Sequence, residues 1–202
     1  MKRLAPTLTL ILLSLAIISG CTSPAPAPPP KAEPPESLTG RSAFQKLFVT
    51  ARGWAPDARP YLLQSGVVGD NKGGGGKAVL WSASFASAAL RSSKPYSWSG
   101  IDAPDTPSRG VNPGTQDSYT PSNDFDIQFL KVDSDVAFDV ARKHGGDKLL
   151  QEKPDTPVTY LLDWDHTGGK LIWHVIYSTS RNGAPLVVDV DATTGTFLRI
   201  EK

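Results

Sequence analysis

The sequence predicts an α+β fold built from two repeats, each a short helix packed on an antiparallel β-sheet. Residues 39–52 and 134–144 place apolar side chains on one face of a 3.6-residue period, which is typical of amphipathic helices. Each of these segments precedes apolar runs separated by turn-forming residues, which predict β-hairpins. A helix that covers one face of such strands makes a two-layer α+β unit.

Both helices carry sequence signals at their ends. Gly53 predicts the end of the first helix. Asp133 or Ser134 can accept hydrogen bonds from the free N–H groups in the first turn of the second helix. Gly145-Gly146 follows that helix and can supply a left-handed cap.

Strand candidates complete each half. They cover 60–65, 77–86, 96–101 and 125–132 in the first half, and 159–164, 170–178, 184–190 and 196–200 in the second. Residues 165–169 and 191–195 are turn-forming and predict hairpin turns, and the glycine run 73–76 predicts a flexible one. Residues 102–124 are rich in Pro, Ser, Gly and Asp, which predicts a long loop.

Short blocks recur between the halves. Tyr61-Leu62-Leu63 recurs as Tyr160-Leu161-Leu162, and the segments around Trp81 and Trp173 match when the two tryptophans are aligned. A helical segment precedes the block in both halves, which favours an internal repeat over chance similarity between two hairpins.

The first 21 residues predict export. Lys2 and Arg3 precede an apolar run over 8–18, which is the pattern of a secretory signal and is shorter than the roughly 20 residues of a membrane-spanning helix. The run closes with Ile18-Ser19-Gly20-Cys21, which resembles the lipobox of bacterial lipoproteins. That resemblance implies that Cys21, the single cysteine, is lipidated and becomes the mature N-terminus. Two or more acyl chains anchor a protein stably, so the lipid would hold it in the bacterial cell envelope, at the inner or the outer membrane.

The chain is therefore divided by the sequence into four parts. They are a signal peptide at 1–20, a Pro/Ala-rich linker at 21–38, a first repeat at 39–132 and a second at 133–202. Seven prolines over 22–37 favour extended polyproline II and hence a spacer, with a proline-rich ligand for a partner domain as the alternative. The mature chain carries 19 basic against 20 acidic residues, which gives no electrostatic reason to expect nucleic acid as a partner.

The second half resembles a PepSY domain. The similarity lies in residues 135–141, in Trp173-His174-Val175 and in 188–196, and it covers about residues 133–202. Asp191 can bond the backbone of its turn, and Gly195 can take the positive φ that such a turn requires. The first half would be a diverged copy, matched at its helix and at the Trp81 hairpin. The resemblance implies a non-enzymatic interaction module, similar to inhibitory or chaperone-like pro-segments of peptidases.

No catalytic or metal motif stands out. His144 is explained as a cation at a helix end and His166 as a turn residue, and no Gly-x-Ser-x-Gly sequence occurs. Two carboxylate groupings, Asp163 and Asp165 with His166, and Asp189 with Asp191, lack the spacing of a calcium loop. We therefore predict no catalytic residue, no metal site and no cofactor.

The strand over 170–178 is apolar on both faces, and this is its most informative property. Trp173 lies on one face, while Ile172, His174 and Ile176 alternate onto the other. We expect a helix to cover the Trp173 face. The His174 face is then expected to meet the first half or a partner, which makes these three residues the candidate interaction face.

The sequence thus predicts a lipid-anchored, non-catalytic module that binds an envelope protein or peptide, with regulation of a peptidase as one implied role. A structural or assembly lipoprotein without a binding groove is the alternative, and an enzyme with an unrecognised site is a third hypothesis. An open sheet edge beside apolar surface would favour binding. A sealed sheet would favour the structural role, and a polar pocket around His174 would favour the enzyme.

Overall fold

A nine-stranded antiparallel sheet with two helical segments on one face dominates the fold. The structure is a computed structural model that describes residues 33–119 and 123–201, which belong to one unit. Cys21, the predicted signal peptide and most of the linker lie outside the described residues. The α+β prediction, a helix packed on antiparallel strands, is confirmed.

The described residues form eleven strands and three α-helices. The strands are β1 (Leu38–Thr39), β2 (Arg59–Gly66), β3 (Lys77–Ala78), β4 (Leu80–Ser87), β5 (Ser92–Ser99), β6 (Gly110–Pro113), β7 (Asp117–Ser118), β8 (Thr159–Asp165), β9 (Lys170–Ile176), β10 (Val187–Asp191) and β11 (Phe197–Ile200). The helices are α1 (Gly40–Trp54), α2 (Ser134–Ala141) and α3 (Asp147–Glu152). Among the described residues, no helix is both long and apolar enough to cross a membrane.

The two halves join edge to edge. The strand order is β11-β10-β9-β8-β2-β4-β5-β6, β7 also pairs with β5, and β1 and β3 form a separate two-stranded sheet. The β2–β8 junction has two registered pairs, Leu63 with Leu162 and Gln64 with Leu161. Helix α1 packs on β2, β4 and β5, while α2 packs on β9 and β10, so one face of the sheet carries both helices.

Aromatic rings join the halves on the helix-covered face. The ring of Trp81 meets that of Trp173 edge-on at 6.4 Å and stacks with that of Tyr160 at 6.0 Å. Both indole N–H groups donate to backbone oxygens, from Trp81 to Leu38 and from Trp173 to Val132. The Trp173 face is therefore buried under helices, and the polar atom of each indole is satisfied.

Ser134 links both helices to the glycine loop. Its hydroxyl accepts from Gly40 N–H at 2.7 Å and donates to Gly76 O at 2.6 Å. The neighbouring Asp133 accepts from Arg41 N–H at 2.8 Å, so the start of α2 caps the start of α1. Each first turn would otherwise leave unpaired N–H groups.

The end of the linker is bound to the first half. Glu36 N–H donates to Gly100 O at 2.9 Å, just beyond the end of β5. Arg109 donates to the backbone oxygens of Glu33 at 3.2 Å and Pro34 at 2.8 Å. The linker therefore meets the folded part beside β5 and β6.

The helix ends differ from the prediction. Helix α1 continues through Gly53 to Trp54, and Ala55 N–H still bonds Ala51 O. Pro56 comes next and disfavours a helical conformation at Ala55, so it, rather than Gly53, accounts for the end. After α2 the chain forms a wide turn with Gly145 at φ 113° and then continues into α3, which the sequence analysis missed.

One strand prediction and one loop prediction are also wrong. Residues 125–132 hold a 3-10 turn at Ile127–Phe129 in place of a strand, with Asp126 accepting from Gln128 N–H. The predicted long loop 102–124 contains the short strands β6 and β7, which extend the sheet beyond β5. Both differences come from tertiary pairing rather than from local propensity.

The glycine run 73–76 is docked rather than loose. All four residues have positive φ, from 58° to 126°, which only glycine adopts readily. A Cβ on Gly73 would overlap Val158 O, and one on Gly76 would overlap the backbone of Asp135. Gly73 and Gly76 must therefore be glycine, because the loop packs against the residue before β8 and against α2.

The strand register agrees with one block of the predicted internal repeat and is offset from the other. Leu63 and Leu162, which correspond in the repeated Tyr-Leu-Leu block, lie opposite each other at the β2–β8 junction. Trp81 lies opposite Ser65, whereas Trp173 lies opposite Leu162, so the tryptophan alignment is offset from that block by two residues. A shift of two keeps side chains on the same face. The division at residues 132 and 133 into two repeats stays a prediction.

The docked glycine loop predicts a difference between two neighbouring glycines. Gly76→Ala should lower the free energy of unfolding by about 2–4 kcal/mol, because the new Cβ meets the backbone of Asp135. Gly75→Ala is the matched control, since its φ is also positive but nothing lies near its Cβ, and it should cost about 1 kcal/mol. Urea denaturation followed by tryptophan fluorescence measures both. Equal losses would show that the loop is not held against α2.

Candidate functional site

The predicted interaction face lies on the side of the second-half sheet that carries no helix. Ile172, His174 and Ile176 are all buried there, with His174 only 2% exposed. The first half does not cover this face, because β2 and β8 join the halves edge to edge. Charged side chains from β8, β10, the loop after β9 and the residue that follows β11 surround His174 instead.

His174 is held by carboxylates on both ring nitrogens. Its Nε2 lies 3.0 Å from Asp163 Oδ1, and its Nδ1 lies 2.6 Å from Asp189 Oδ1 and 3.2 Å from Glu201 Oε1. Burial alone would lower the pKa of His174, but the hydrogen bonds and charges of Asp163 and Asp189 outweigh it and raise that pKa to about 9. The ring is therefore an imidazolium at neutral pH.

Two arginines complete the network. Arg199 Nη2 lies 2.8 Å from Asp189 Oδ2, an ion pair whose angles are not those of a hydrogen bond. Arg181 bonds Glu201 and lies 3.9 Å from Asp163 Oδ2. Burial raises the pKa of Glu201, but Arg181 and then His174 outweigh it, and the pKa of this carboxyl is lowered. Three cations thus face three carboxylates, and we call these six residues the ion-pair network.

The network suits structural stabilisation better than metal binding or catalysis. Ligand atoms of His174, Asp189 and Glu201 lie within 4.8 Å of one another and could in principle hold a cation. The two arginines already balance Asp189 and Glu201, however, and a divalent ion beside them would be repelled. An imidazolium that donates through both nitrogens also has no lone pair for proton abstraction or for a metal.

The network holds the last strand of the sheet. Arg199 lies in β11 and Glu201 follows it, so their ion pairs to Asp189 and Arg181 fix β11 against β10 and the loop after β9. Within the part of the chain that the structure describes, β11 pairs with β10 alone. Residues 196–201 thus combine an edge strand with a set of charged side-chain contacts.

The outer edge of β11 offers both backbone groups and apolar surface. Arg199 lies opposite Asp189 and Glu201 N–H bonds Val187 O, so the alternation of antiparallel pairing turns the backbone N–H and C=O of Ile200 outward. Ile200 is 45% exposed and Phe197 is 37% exposed. The His144 ring stacks on Phe197 at 3.8 Å, so His144 lies against the edge strand rather than acting only as a helix-end cation.

The opposite edge of the sheet is less open. Strand β6 ends in Pro113, which cannot donate a backbone hydrogen bond, and β7 pairs with β5 beside it. No proline occurs in β11. Of the two edges of the described sheet, β11 is therefore the better template for an added strand.

The remaining predicted residues have local roles. Asp191 Oδ1 accepts from the N–H groups of Thr193 at 2.8 Å and Thr194 at 3.1 Å, its Oδ2 bonds Lys170, and Gly195 takes φ 76° in the same turn. Trp81 and Trp173 lie in the aromatic junction described above. Cys21 lies outside the described residues.

The suspected carboxylate–histidine group at the β8–β9 turn does not converge. Asp163 bonds His174, Asp165 accepts from Thr167 N–H, and His166 contacts Asn123 Oδ1 at 2.9 Å. Cavities that the described residues line lie elsewhere, among them one of about 520 Å³ in the first half around Ser82 and Ser97.

Sequence reasoning found His174 but missed most of its partners. Arg181, Arg199 and Glu201 come from a loop, a strand and the chain end, and no spacing rule connects them. One usable signal was present. Arg199 and Glu201 alternate along β11, which places both charges on the same face as Asp189.

Comparison with known proteins supports the fold alone. No protein-family model matches the chain, and no curated protein matches it. A crystal structure of a protein from Clostridium difficile 630, described provisionally as a lipoprotein, has a TM-score of 0.53 and 11% sequence identity to it. The alignment covers 82% of this chain and 94% of that one, so almost the whole of the other chain shares the α+β architecture.

The ion-pair network predicts a loss of stability in alkali. The pKa of His174 rises from 6.5 in the unfolded chain to about 9 in the folded protein, so its contribution is full below pH 6.5 and is lost as the pH passes 9. We expect the free energy of unfolding to fall by up to about 3 kcal/mol over that window. Urea denaturation at a series of pH values measures it.

Two histidine variants separate this effect from general alkaline unfolding. His174→Gln should flatten the pH dependence between pH 6.5 and 9.5, because the titrating group is gone. His166→Gln, at the exposed β8–β9 turn, should retain the slope of the unaltered protein. An unchanged slope in His174→Gln would contradict the role given to the network.

Proposed function

We propose that the protein is a lipid-anchored protein of the bacterial cell envelope that binds an extended peptide segment of another envelope protein along β11. The observation that carries this proposal is the open outer edge of β11, with Ile200 and Phe197 exposed beside it. Backbone hydrogen bonds to an edge strand supply affinity, and adjoining side chains select the peptide.

The anchor is supported by sequence and by analogy. Ile18-Ser19-Gly20-Cys21 follows an apolar run, which is the pattern of a lipidated cysteine. The Clostridium difficile protein of similar fold is itself described provisionally as a lipoprotein. The linker after Cys21 would hold the folded part away from the bilayer.

A non-catalytic role is supported by the state of His174. The ring is buried, protonated and bonded through both nitrogens, so it offers no base to a substrate. The PepSY resemblance of residues 133–202, carried by Trp173, Asp191 and Gly195, points in the same direction. Regulation of a peptidase remains within this proposal, because an extended inhibitory segment and an extended substrate use the same backbone pairing.

A structural or assembly role is the second candidate, and one observation favours it. The sheet face opposite the helices is closed in the second half by the ion-pair network, which leaves His174 and its neighbours no room for a ligand. The open β11 edge favours binding over this alternative.

Replacement of Ile200 tests the edge. Ile200→Pro removes the outward N–H of β11 and no ladder hydrogen bond to β10, so the fold should persist while partner binding falls at least tenfold. Ile200→Val keeps the N–H and most of the side chain, and it is the matched control. Affinity capture from the native envelope, read by mass spectrometry, should recover a partner with the unaltered protein and Ile200→Val. Recovery of the same partner with Ile200→Pro would show that the partner does not bind along the outer edge of β11.

Replacement of Cys21 tests the anchor separately. The unaltered protein should incorporate radiolabelled palmitate and sediment with membranes, because its N-terminal cysteine carries the lipid. Cys21→Ser should take up no label and appear in the soluble fraction. Membrane association of Cys21→Ser equal to that of the unaltered protein would show that another feature anchors the chain.

A further inference from the structure

A groove runs along α1 on the helix-covered side of the first half. Two cavities, of about 230 Å³ and 150 Å³, lie between α1 and residues 125–130, and Phe48 and Ile127 line both of them. We call these two cavities and their lining residues the α1 groove. It lies in the first half, whereas β11 forms the far edge of the second.

The floor of the α1 groove is aromatic and aliphatic. Phe44 and Phe48 stack at 5.5 Å, and Phe125 and Leu130 are buried below the opening. Ile127 is 44% exposed, whereas Phe129 on the same 3-10 turn is half-buried against Trp164. Ile127 thus lies between a mainly apolar cavity and one of mixed polarity, and an exposed apolar residue in such a place can contact a partner's side chains.

The rim of the α1 groove is basic. Arg41 lies at one cavity, and Arg52 and Arg59 lie at the other. Arg59 pairs with Asp124, and Arg41 donates to Lys131 O. Arg52 lies over the Phe48 ring at 5.7 Å and has no carboxylate partner among the described residues.

Helix α1 does not offset this charge. It carries no acidic residue, and Arg41 and Arg52 are its basic residues that line the groove. Asp126 is the acidic side chain that lines the groove, and Asp124 pairs with Arg59, so three arginines face two carboxylates. The groove therefore combines an apolar floor with a net positive charge, which complements an acidic, amphipathic ligand.

We propose that the α1 groove binds an acidic peptide segment that places one apolar side chain in each cavity and carboxylates next to Arg41 and Arg52. The groove consists of two small, open cavities, and these fit separate side chains better than one continuous acyl chain. Apolar anchors on a partner's segment set the position of the peptide, and the arginines set its charge preference. This inference rests on the proposed function, since it gives the chemistry of a second contact with a protein partner.

Selection from a random peptide library tests the groove. The full mature chain, residues 21–202 with Cys21→Ser so that no detergent competes for apolar surface, is immobilised and exposed to phage that display random 12-residue peptides. We expect enriched peptides to carry two apolar residues flanked by Asp or Glu. A synthetic peptide of the enriched sequence should bind more weakly as NaCl is raised, because the ion pairs are screened.

Matched variants separate the groove from the rest of α1. Ile127→Asp and Arg52→Glu should each weaken binding of that peptide at least tenfold. Val49→Asp and Lys46→Glu make the same changes of polarity and charge on the exposed side of α1, where Val49 is 73% exposed, and should leave affinity within twofold. Circular dichroism and thermal unfolding verify that all four variants fold.

Several results would overturn the inference. They are enrichment of no peptide, enrichment of peptides without carboxylates, or equal weakening by Lys46→Glu and Arg52→Glu. Binding of the mature chain to phosphatidylglycerol vesicles that Arg52→Glu abolishes would also overturn it, since the groove would then face a membrane. If Ile200→Pro abolishes peptide binding and Ile127→Asp does not, the peptide binds at the β11 edge. That result supports the proposed function and contradicts binding in the α1 groove.

Discussion

The fold depends on the contact between its two halves at the helix-covered face. The sheet itself joins them through two registered residue pairs between β2 and β8, which is a short ladder for a nine-stranded sheet. Trp81 and Trp173 meet above this junction, and the Ser134 hydroxyl bonds both Gly40 and Gly76. Buried aromatic rings and fully paired polar groups tolerate little displacement, so this contact sets the position of each half.

The ion-pair network has a different purpose from that junction. A buried ion pair contributes little net stability when its desolvation is counted, but it fixes geometry strongly because a lone charge left behind is costly. Here the geometry that is fixed is that of a four-residue edge strand, which would otherwise be prone to fraying. Arg199 and Glu201 hold β11 from one face, and among the described strands only β10 pairs with its backbone. Strand β11 is thus held in a fixed position while its outer backbone edge is left unpaired by the described strands.

Sequence periodicity predicted the local elements and which side chains share a face. Tertiary contacts determined the helix ends, the 3-10 turn and the partners of His174. Alternating residues around Trp173 predicted a strand buried on both faces, because side-chain direction follows from the period of two. The α3 helix was missed because Gly145-Gly146 is typical of a helix C-terminus. In the structure a new helix begins at Asp147, directly after these glycines. His174 was identifiable as a face-defining residue, but Arg181 and Glu201 approach it from elements that no spacing links. The α1 groove depends on residues 125–130, whose turn replaces a predicted strand.

The attachment of the linker beside β5 has a mechanical consequence. Six strand spacings separate β5 from β11, which places the two attachment points about 30 Å apart across the sheet. Tension between a bilayer and a protein held at β11 would act across the strands and load their hydrogen bonds one after another, as in a zipper. The two-pair seam between β2 and β8 would then open first, and the tryptophan contact above it would bear the pull.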